Sequence, residues 1–265
     1  MNNDPVIEAS SLPTLPAFCL LDARSAPAFE ERHPTGAVRV PMETWITASQ
    51  EEKTSLDNVA YWELQIRALG VGNDTPAVIY DDGRMIDAAR VWFILQYFGA
   101  KPLIVNGGWP QLAGMTLTAR PPGTSPEFKA QASSGSVGLV DRHQLKAQIE
   151  NQSASAKLLD VRTAAEFKGE DLRRNKRGGH LPGAQLLPHA ELMKDGKLLD
   201  PAALRSMLMQ AGIQDGDAVV MHCDAGARAA LASVAALRAG YKDVHAYYLS
   251  FADWARDDSC PLIRP

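Results

Sequence analysis

The sequence has no long apolar segment and few cysteines. No run of about 18 apolar residues occurs, which argues against a helix that crosses a membrane. Residues 1–5 lack the basic start and apolar stretch of a signal peptide. The three cysteines, Cys19, Cys223 and Cys260, form no C-x-x-C pair, and an odd number does not suit a disulfide framework. We therefore expect a protein of a reducing, cytoplasmic compartment without a structural zinc site.

The charge and the composition are also unexceptional. The formal net charge is −4, so neither nucleic acid nor a membrane surface is an expected partner. A hydrophobic fraction of 46% and a charged fraction of 22% are those of an ordinary globular protein. At 265 residues the chain exceeds the usual length of one domain, and either half can bury a core of its own.

The stretch around Cys223 carries the strongest chemical signal. Apolar residues 219–221 predict a buried strand that runs through His222 to the cysteine, and alanine-rich residues 229–237 predict a helix. The loop between them contains Gly226 and Arg228, and such a loop turns backbone N–H groups inward. The start of the helix adds positive potential, which favours a thiolate. A cysteine with only a packing role would have apolar neighbours, so the charged and small residues that follow favour a reactive nucleophile.

The pattern of the first half of the chain recurs in the second half. Residues 20–24 (LLDAR) return as 158–162 (LLDVR), and the turn at 33–37 (HPTGA) returns as 180–184 (HLPGA). The period is too long for a solenoid and indicates a duplicated domain. Strands alternate with helices in each half, which predicts an α/β fold with a mainly parallel sheet and helices on both faces.

A change of composition separates the two halves. Residues 120–126 and 132–136 are rich in proline, glycine and serine and cannot bury much surface, which is typical of a linker. We therefore expect an N-terminal domain at 1–120, a linker at 121–137 and a C-terminal domain at 138–265.

The two halves differ at the expected site. In parallel sheets, sites form at the carboxyl ends of strands, and Cys223 is predicted to lie there. The first half has Asp81 at the matching position. A carboxylate cannot perform thiol chemistry, so the first half is expected to be non-catalytic, with a structural or substrate-shaping role.

Together these motifs resemble the tandem-domain rhodaneses, the thiosulfate and 3-mercaptopyruvate sulfurtransferases. The resemblance rests on the repeated L-L-D-x-R segment, the later H-x-x-G-A turn and the C-x-x-G-x-R loop, and it covers nearly the whole chain. It implies two rhodanese-like domains, of which only the C-terminal one is catalytic. It also implies a cysteine that takes sulfur from a small anionic donor as a persulfide. A thiol, cyanide or a thioredoxin-like protein would be the acceptor, and no cofactor or metal is implied.

The resemblance assigns roles to residues of the second half. Cys223 is the implied persulfide-forming nucleophile. The implied sulfur-binding loop consists of Asp224, Ala225, Gly226, Ala227 and Arg228. Because an arginine fork suits a structural role, we expect Arg228 to hold the carbonyls of this loop rather than face the substrate.

The basic residues before the second H-x-x-G-A turn are further candidates. In similar enzymes an arginine at this place contacts the donor anion, and Arg177 is the first choice for that role. Arg173 and Arg174 stand behind it. A solvated basic loop is an equally good interpretation for Arg177 and the better one for the other two.

The loop leaves the identity of the donor open. Relatives that prefer thiosulfate tend to carry basic residues after the cysteine, and relatives that prefer mercaptopyruvate tend to carry small neutral ones. Asp224 would repel a thiosulfate dianion if its side chain faced the pocket. Ala225 and Gly226 are small, which favours mercaptopyruvate, and a third donor is also compatible with this loop.

Two other functions compete with sulfur transfer. Cysteine phosphatases and arsenate reductases hold an oxyanion in a C-x5-R loop, whereas this chain has a C-x4-R spacing that suits a single sulfur better. The second alternative is a tandem domain that relays sulfur or binds a partner without catalysis. We rank sulfur transfer first, the relay or binding role second and the phosphatase last.

Overall fold

The computed structural model describes residues 4–15, 17–117, 119, 127–151 and 156–264. Within this part of the chain the residues form two compact units. The first consists of residues 5–136 and 195–197, and the second of Asp4, residues 137–194 and residues 198–264.

The first unit is built on a five-stranded parallel sheet. Its strands are β1 (Val6–Ile7), β2 (Cys19–Asp22), β3 (Ala37–Arg39), β4 (Ala77–Tyr80) and β5 (Pro102–Val105). They lie in the order β1-β5-β4-β2-β3, and each neighbouring pair is parallel. Its helices are α1 (Ala26–Glu31), α2 (Met42–Ala48), α3 (Val59–Ala68), α4 (Ile86–Tyr97) and α5 (Trp109–Leu112), with short 3-10 helices at Ala9–Thr14 and Glu52–Thr54.

The second unit repeats this arrangement. Its main strands are β6 (Val137–Leu139), β7 (Ala156–Asp160), β8 (Ala184–Leu186), β11 (Ala218–His222) and β12 (Val244–Ala246). Outside the two main sheets, β9 (Met193–Lys194) and β10 (Lys197–Leu198) form a two-stranded sheet. The main strands lie in the order β6-β12-β11-β7-β8, again all parallel. The helices are α6 (Arg142–Glu150), α7 (Ala164–Lys168), α8 (Pro201–Gln210), α9 (Ala227–Arg238) and α10 (Ser250–Trp254), with a 3-10 helix at His189–Leu192.

The identical strand order confirms the predicted duplication and the predicted α/β fold. Each residue of β2 and of β4 is buried, and four of the five residues of β11 are buried. Strands buried on both faces are typical of a parallel sheet covered by helices on each side. Within the described residues, no helix combines the length and the apolar character needed to cross a membrane.

Each sheet contributes to an apolar core of its own. In the second unit Leu158 and Val220, from two adjacent strands, pack with Phe251 and Trp254 in one cluster. Cys260 belongs to the same cluster and is buried. The corresponding strands of the first unit place Leu20 and Val78 in its core.

The predicted linker at 121–137 is described only in part. Residues 120–126 lie outside the described residues. Phe128 is buried, and the N–H of Ala130 donates to the Glu63 carboxylate at 2.9 Å. The part of the linker around Phe128 and Ala130 therefore packs on the first unit. The domain limits 1–120 and 138–265 remain predictions.

Candidate active site

Cys223 lies immediately after β11, the middle strand of the second sheet. Helix α9 begins at Ala227, and Gly226 is its N-cap. The Cys223 Sγ accepts a hydrogen bond from the N–H of Gly226, with 3.0 Å between nitrogen and sulfur. The residue is only 1% exposed. The sulfur therefore faces the start of a helix, where N–H groups and the helix dipole stabilise an anion.

The loop depends on the absence of a side chain at Gly226. This residue has a φ of 91°, in the left-handed region that favours glycine. A Cβ atom added here would lie 2.3 Å from the carbonyl oxygen of Tyr248. The N–H that reaches the sulfur is thus held in place by a backbone conformation that other residues rarely adopt.

Ser250 also contacts the cysteine, and the sequence analysis did not find it. Its Oγ accepts a hydrogen bond from the N–H of Cys223 at 3.1 Å and lies 3.8 Å from the Sγ. The same Oγ donates to the carbonyl of Tyr247 at 2.7 Å. Ser250 is buried and has a φ of 59°. A strained non-glycine residue beside a candidate nucleophile points to a functional role.

The internal repeat contained a signal for Ser250. The N–H of Trp109 donates to the carbonyl of Asp81, and the N–H of Phe251 donates to that of Cys223. Gly108 of the first half therefore matches Ser250, and it has the same φ of 59°. A serine in place of a glycine at a left-handed position marks this residue, although only a three-dimensional comparison shows its contact with Cys223.

Arg228 pairs with a carboxylate rather than with loop carbonyls. Its two terminal nitrogens each donate to one oxygen of Glu166 in α7, both at 2.8 Å. Burial alone would raise the pKa of the Glu166 carboxyl, but hydrogen bonds from Arg228 and from the N–H of Thr163 lower it to about 2. Burial lowers the pKa of Arg228, but the bonds to Glu166 and the charges of Cys223 and Glu166 outweigh burial and raise it overall.

Asp224 is held by the basic loop that precedes the second H-x-x-G-A turn. The side-chain N–H of Asn175 donates to the Asp224 carboxylate at 2.8 Å. The carbonyl of Asp224 accepts from the N–H of Ala252 in α10. The carboxylate is thus tied to the Asn175 loop. Ala225 and Ala227, the remaining members of the loop, bring only methyl side chains to it.

Arg177 has partners other than the expected donor anion. Its guanidinium donates to the carbonyls of Trp254, Ala255 and Cys260 at 2.9 to 3.2 Å and also to that of Asp257. These acceptors all belong to the C-terminal segment of the second unit, which favours a structural role for Arg177. Arg173 and Arg174 are exposed.

His222 is buried directly before the cysteine. Neither ring nitrogen has a hydrogen-bond partner among the described residues, and Nε2 lies 3.7 Å from an oxygen of Asp160. Burial lowers the pKa of His222 to about 4, so the ring is neutral near pH 7. Within the described residues no three His, Cys, Asp or Glu side chains are grouped so that they could hold a metal ion.

The comparison with known proteins gives one family for both halves. The rhodanese-like domain family matches residues 8–114 and 141–257. SseB of Mycobacterium tuberculosis, provisionally named a thiosulfate sulfurtransferase, is 30% identical over 251 residues, which cover 89% of this chain and 85% of SseB. The 3-mercaptopyruvate sulfurtransferase of Escherichia coli is 27% identical over 266 residues, which cover 93% of this chain and 92% of that protein.

Solved structures share the fold over nearly the whole chain. SseA of Escherichia coli, described as a 3-mercaptopyruvate sulfotransferase, has a TM-score of 0.72 at 24% identity, covering 93% of this chain and 98% of its own. EanB, captured with a cysteine persulfide and ergothioneine, has a TM-score of 0.83 at 20% identity, covering 98% of this chain and 70% of its own.

Proposed function

The chain belongs to the rhodanese-like family, and we propose that it is a sulfurtransferase in which Cys223 carries the sulfur as a persulfide. The observation that carries this proposal is the position of the Cys223 Sγ, 3.0 Å from the N–H of Gly226 at the start of α9. The names of the relatives support sulfur transfer as the reaction type. The persulfide on a cysteine of EanB, a protein of the same fold, supports the proposal of such an intermediate here.

In the first step, the Cys223 thiolate attacks the outer sulfur of the donor. With thiosulfate, the S–S bond of the donor breaks, sulfite leaves with the bonding electron pair, and a cysteine persulfide anion forms. With 3-mercaptopyruvate, an S–S bond forms to Cys223 as the C–S bond of the donor breaks. The cysteine persulfide keeps the S–H of the donor, and the enolate of pyruvate leaves with the bonding electron pair and is protonated by water. The N–H of Gly226 and the start of α9 stabilise the negative charge on the sulfur throughout.

In the second step, the acceptor attacks the outer sulfur of the persulfide. Cyanide becomes thiocyanate, and a thiolate acceptor becomes a persulfide. In either case the S–S bond breaks, and Cys223 leaves as a thiolate with the bonding electron pair. Division of the transfer into these two displacements replaces one difficult step by two easier ones.

The burial of Cys223 favours a small donor with a terminal sulfur, and the donors named for the relatives are small anions of this kind. Both 3-mercaptopyruvate and thiosulfate meet this requirement. The bond from Asn175 removes part of the hydrogen-bonding capacity of Asp224, and its carboxylate still adds negative charge to this loop. A donor with a single negative charge, such as 3-mercaptopyruvate, is therefore favoured over a dianion.

The pairing of Arg228 disfavours a phosphatase. A loop that binds phosphate needs the arginine fork to bond the phosphate oxygens. In this chain two of the Arg228 nitrogens already donate to the Glu166 carboxylate at 2.8 Å. The short C-x4-R spacing and this ion pair together favour a sulfur atom over an oxyanion.

The first half of the chain is proposed to be non-catalytic. Asp81 occupies the position that Cys223 has in the second half, and it cannot form a persulfide. The domain limits at 1–120 and 138–265 and the cytoplasmic location remain parts of the same proposal.

The test is the intact mass of the protein after it is mixed with 3-mercaptopyruvate or with thiosulfate in the absence of a reductant. We expect the mass of one added sulfur with at least one donor, and its loss on addition of cyanide. Cys223→Ser should gain no sulfur. Cys260→Ala is the matched control, because Cys260 is also buried in the second unit, and it should gain sulfur as the natural protein does.

Two outcomes would contradict the proposal. One is the absence of added sulfur with both donors while Cys223 still reacts with an alkylating agent, which would favour the relay or binding role. The other is added sulfur in Cys223→Ser, which would move the chemistry to another residue.

A further inference from the structure

The ion pair between Glu166 and Arg228 has no counterpart at the matching, described positions of the first half. Helices α4 and α9 each have 12 residues, and each follows an N-cap with a positive φ, Met85 or Gly226. The second position of these helices is Asp87 in the first half and Arg228 in the second. An acid thus replaces the arginine.

The partner of the arginine is also missing from the first half. Phe29 stacks on His33 with 3.8 Å between ring centroids, and Phe167 stacks on His180 with 3.7 Å. These matching pairs show that α1 and α7 are equivalent helices and that Ala28 is the residue equivalent to Glu166. The first half forms the same sheet with neither the glutamate nor the arginine. The fold itself therefore does not require the ion pair.

The pair is rigid at both ends. Glu166 is 1% exposed and closes a capping box with Thr163, so its carboxylate is fixed to the first turn of α7. Two parallel hydrogen bonds then fix the guanidinium of Arg228. Arg228 lies two residues after Gly226, whose N–H contacts the Cys223 sulfur. A displacement of Arg228 would therefore move the turn that presents this N–H.

We propose that Glu166 is a positioning residue for Cys223, and that it acts through Arg228 by fixing the first turn of α9 against α7. This inference rests on the proposed role of Cys223 as the nucleophile. Glu166 does not contact the sulfur, and its carboxylate neutralises the arginine charge nearby. The backbone N–H groups at the start of α9 then remain as the source of positive potential at the sulfur.

Positioning and simple electrostatics predict opposite results for Glu166→Gln. If only charge mattered, removal of the carboxylate would leave Arg228 uncompensated and would make the thiolate easier to form. If positioning dominates, the freed arginine lets the first turn of α9 move, and the Gly226 N–H no longer stabilises the thiolate as well. The direction of the change therefore discriminates between the two roles.

The experiment measures the rate of Cys223 alkylation by iodoacetamide as a function of pH. Since the thiolate is the reacting form, the midpoint of this profile reports how easily it forms. We expect the midpoint of Glu166→Gln to rise by about one pH unit, with about tenfold slower labelling below it. Burial and the charge of Arg228 lower the pKa of the neighbouring His189, which favours the neutral form of that ring.

Arg228→Lys is a second variant, which keeps the positive charge and loses the fork. Positioning predicts a rise of the midpoint here too, because an ammonium cannot bind both oxygens at fixed angles. In the double variant Glu166→Gln/Arg228→Lys the rise should not exceed that of either single variant, since both break the same link.

Asp4→Asn is the matched control. Asp4 pairs with Arg238, the last residue of the same helix, also at 2.8 Å and with both side chains largely buried. Loss of this pair should leave the labelling profile of Cys223 unchanged. Labelling of the buried Cys19 and Cys260 reports any general loosening of the fold in each variant.

An unchanged or lowered midpoint in Glu166→Gln would overturn the proposal. So would a rise of equal size in Asp4→Asn, because the effect would then belong to the stability of the helix. Failure of the sulfurtransferase proposal would look different. The natural protein would gain no sulfur from either donor, while the shift between the natural protein and Glu166→Gln would still be measurable.

Discussion

The loops after β4 and β11 occupy the same place in the two halves and use it differently. In the first half the Asp81 carboxylate lies inside its own loop. It accepts hydrogen bonds from the N–H groups of Gly83, Met85, Asp87 and Ala88 at 2.9 to 3.2 Å. Burial raises the pKa of Asp81, and these N–H groups act in the opposite direction. The loop thus binds an anion that belongs to the protein itself.

In the second half the loop is one residue shorter and holds a thiol. In each half the N–H of the helix N-cap residue donates to the side chain that follows the strand. Met85 donates to Asp81 at 3.0 Å, and Gly226 donates to Cys223 at 3.0 Å. In both halves the loop therefore directs the N–H of the N-cap residue at an acidic side chain, Asp81 or Cys223. In the first half that side chain is a carboxylate, which has no sulfur to transfer, and in the second half it is the thiol that the proposed function requires.

Among the variants that test this comparison, Gly226→Ala is expected to change the transfer rate and the stability most. The added Cβ would lie 2.3 Å from the Tyr248 carbonyl at a φ of 91°, so the loop must move away from the sulfur. We expect the transfer rate to fall about 100-fold and the free energy of unfolding to fall by about 2–4 kcal/mol. Steady-state kinetics and urea denaturation measure the two quantities.

Gly216→Ala is the control for that variant. Gly216 has a φ of 82°, and a Cβ there would meet nothing within 4 Å. It should cost about 1–2 kcal/mol for the left-handed conformation and leave the transfer rate unchanged. If Gly226→Ala behaved in the same way as this control, the loop would tolerate a side chain and the site would be less constrained than the comparison suggests.

The ion pair of Glu166 and Arg228, which the matching positions of the first half lack, should make the stability of the protein depend on pH. The pKa of Glu166 is lowered from 4.5 to about 2 in the folded protein, so its stabilising contribution is present above pH 4.5 and is lost as the pH falls toward 2. The shift corresponds to about 3 kcal/mol at pH 7. The difference in unfolding free energy between the natural protein and Glu166→Gln should therefore shrink between pH 5 and pH 3, as measured by urea denaturation.

The pair of the exposed Glu43 with Arg39 in the first half serves as the control for Glu166→Gln. The Glu43 side chain is 65% exposed, so Glu43→Gln should change the stability by less than about 1 kcal/mol at any of these pH values. A difference for Glu166→Gln that stayed constant from pH 7 to pH 3 would contradict the assignment of a strongly lowered pKa.

Asp81→Asn tests whether the carboxylate stabilises the loop after β4 in the first half. The amide oxygen can accept from one pair of backbone N–H groups, whereas the amide nitrogen then faces the other pair without an acceptor. We expect the free energy of unfolding to fall by about 2 kcal/mol and the transfer rate per folded molecule to stay the same. Asp82→Asn, at the exposed neighbouring residue, should be nearly neutral in stability. Equal stabilities of the two variants would show that the carboxylate is not what the loop holds.

Ser250→Gly is expected to change the stability least of these variants. It places in the second half the glycine that the first half has at the matching position, Gly108. Relief of the backbone strain opposes the loss of the bond to the Cys223 N–H, so the stability should change by less than about 1 kcal/mol. The transfer rate should fall about tenfold, because the cysteine is held less firmly.

Ser133→Gly is the matched control for this last variant. Ser133 also has a positive φ, of 60°, but lies in the first unit. It should gain a little stability without any change in rate. An unchanged rate in Ser250→Gly would remove Ser250 from the site and leave its strained conformation unexplained.

The sequence predicted the parts of the fold that depend on local patterns. Alternating strands and helices, the repeat of L-L-D-x-R and the strand that runs into Cys223 were sufficient for two parallel sheets with the cysteine at a strand end. These features are encoded within short windows, where hydrophobic periodicity and turn residues determine the local structure. The role of Cys223 as a nucleophile remains a prediction that the mass experiment tests.

The partners of the site residues could not be predicted in the same way. Glu166 and Arg228 are 62 residues apart in sequence, and Ser250 is 27 residues from Cys223. Such contacts depend on how neighbouring strand ends are arranged in space, which a pattern in one window does not contain. Arg177 illustrates the same limit, since a basic loop does not reveal whether its cations will meet a substrate or backbone carbonyls.

The bonds of Arg177 also show that the packed part of the second unit continues beyond the family match. The family match stops at residue 257, yet Arg177 donates to the carbonyl of Cys260, and the indole of Trp254 donates to that of Pro261 at 2.9 Å. Ile263 then pairs with His180 in both directions at 2.9 Å. Anyone who expresses the second domain alone should therefore keep the chain through Ile263. A gene cut at the family boundary would remove acceptors from a partly buried arginine and from a core tryptophan.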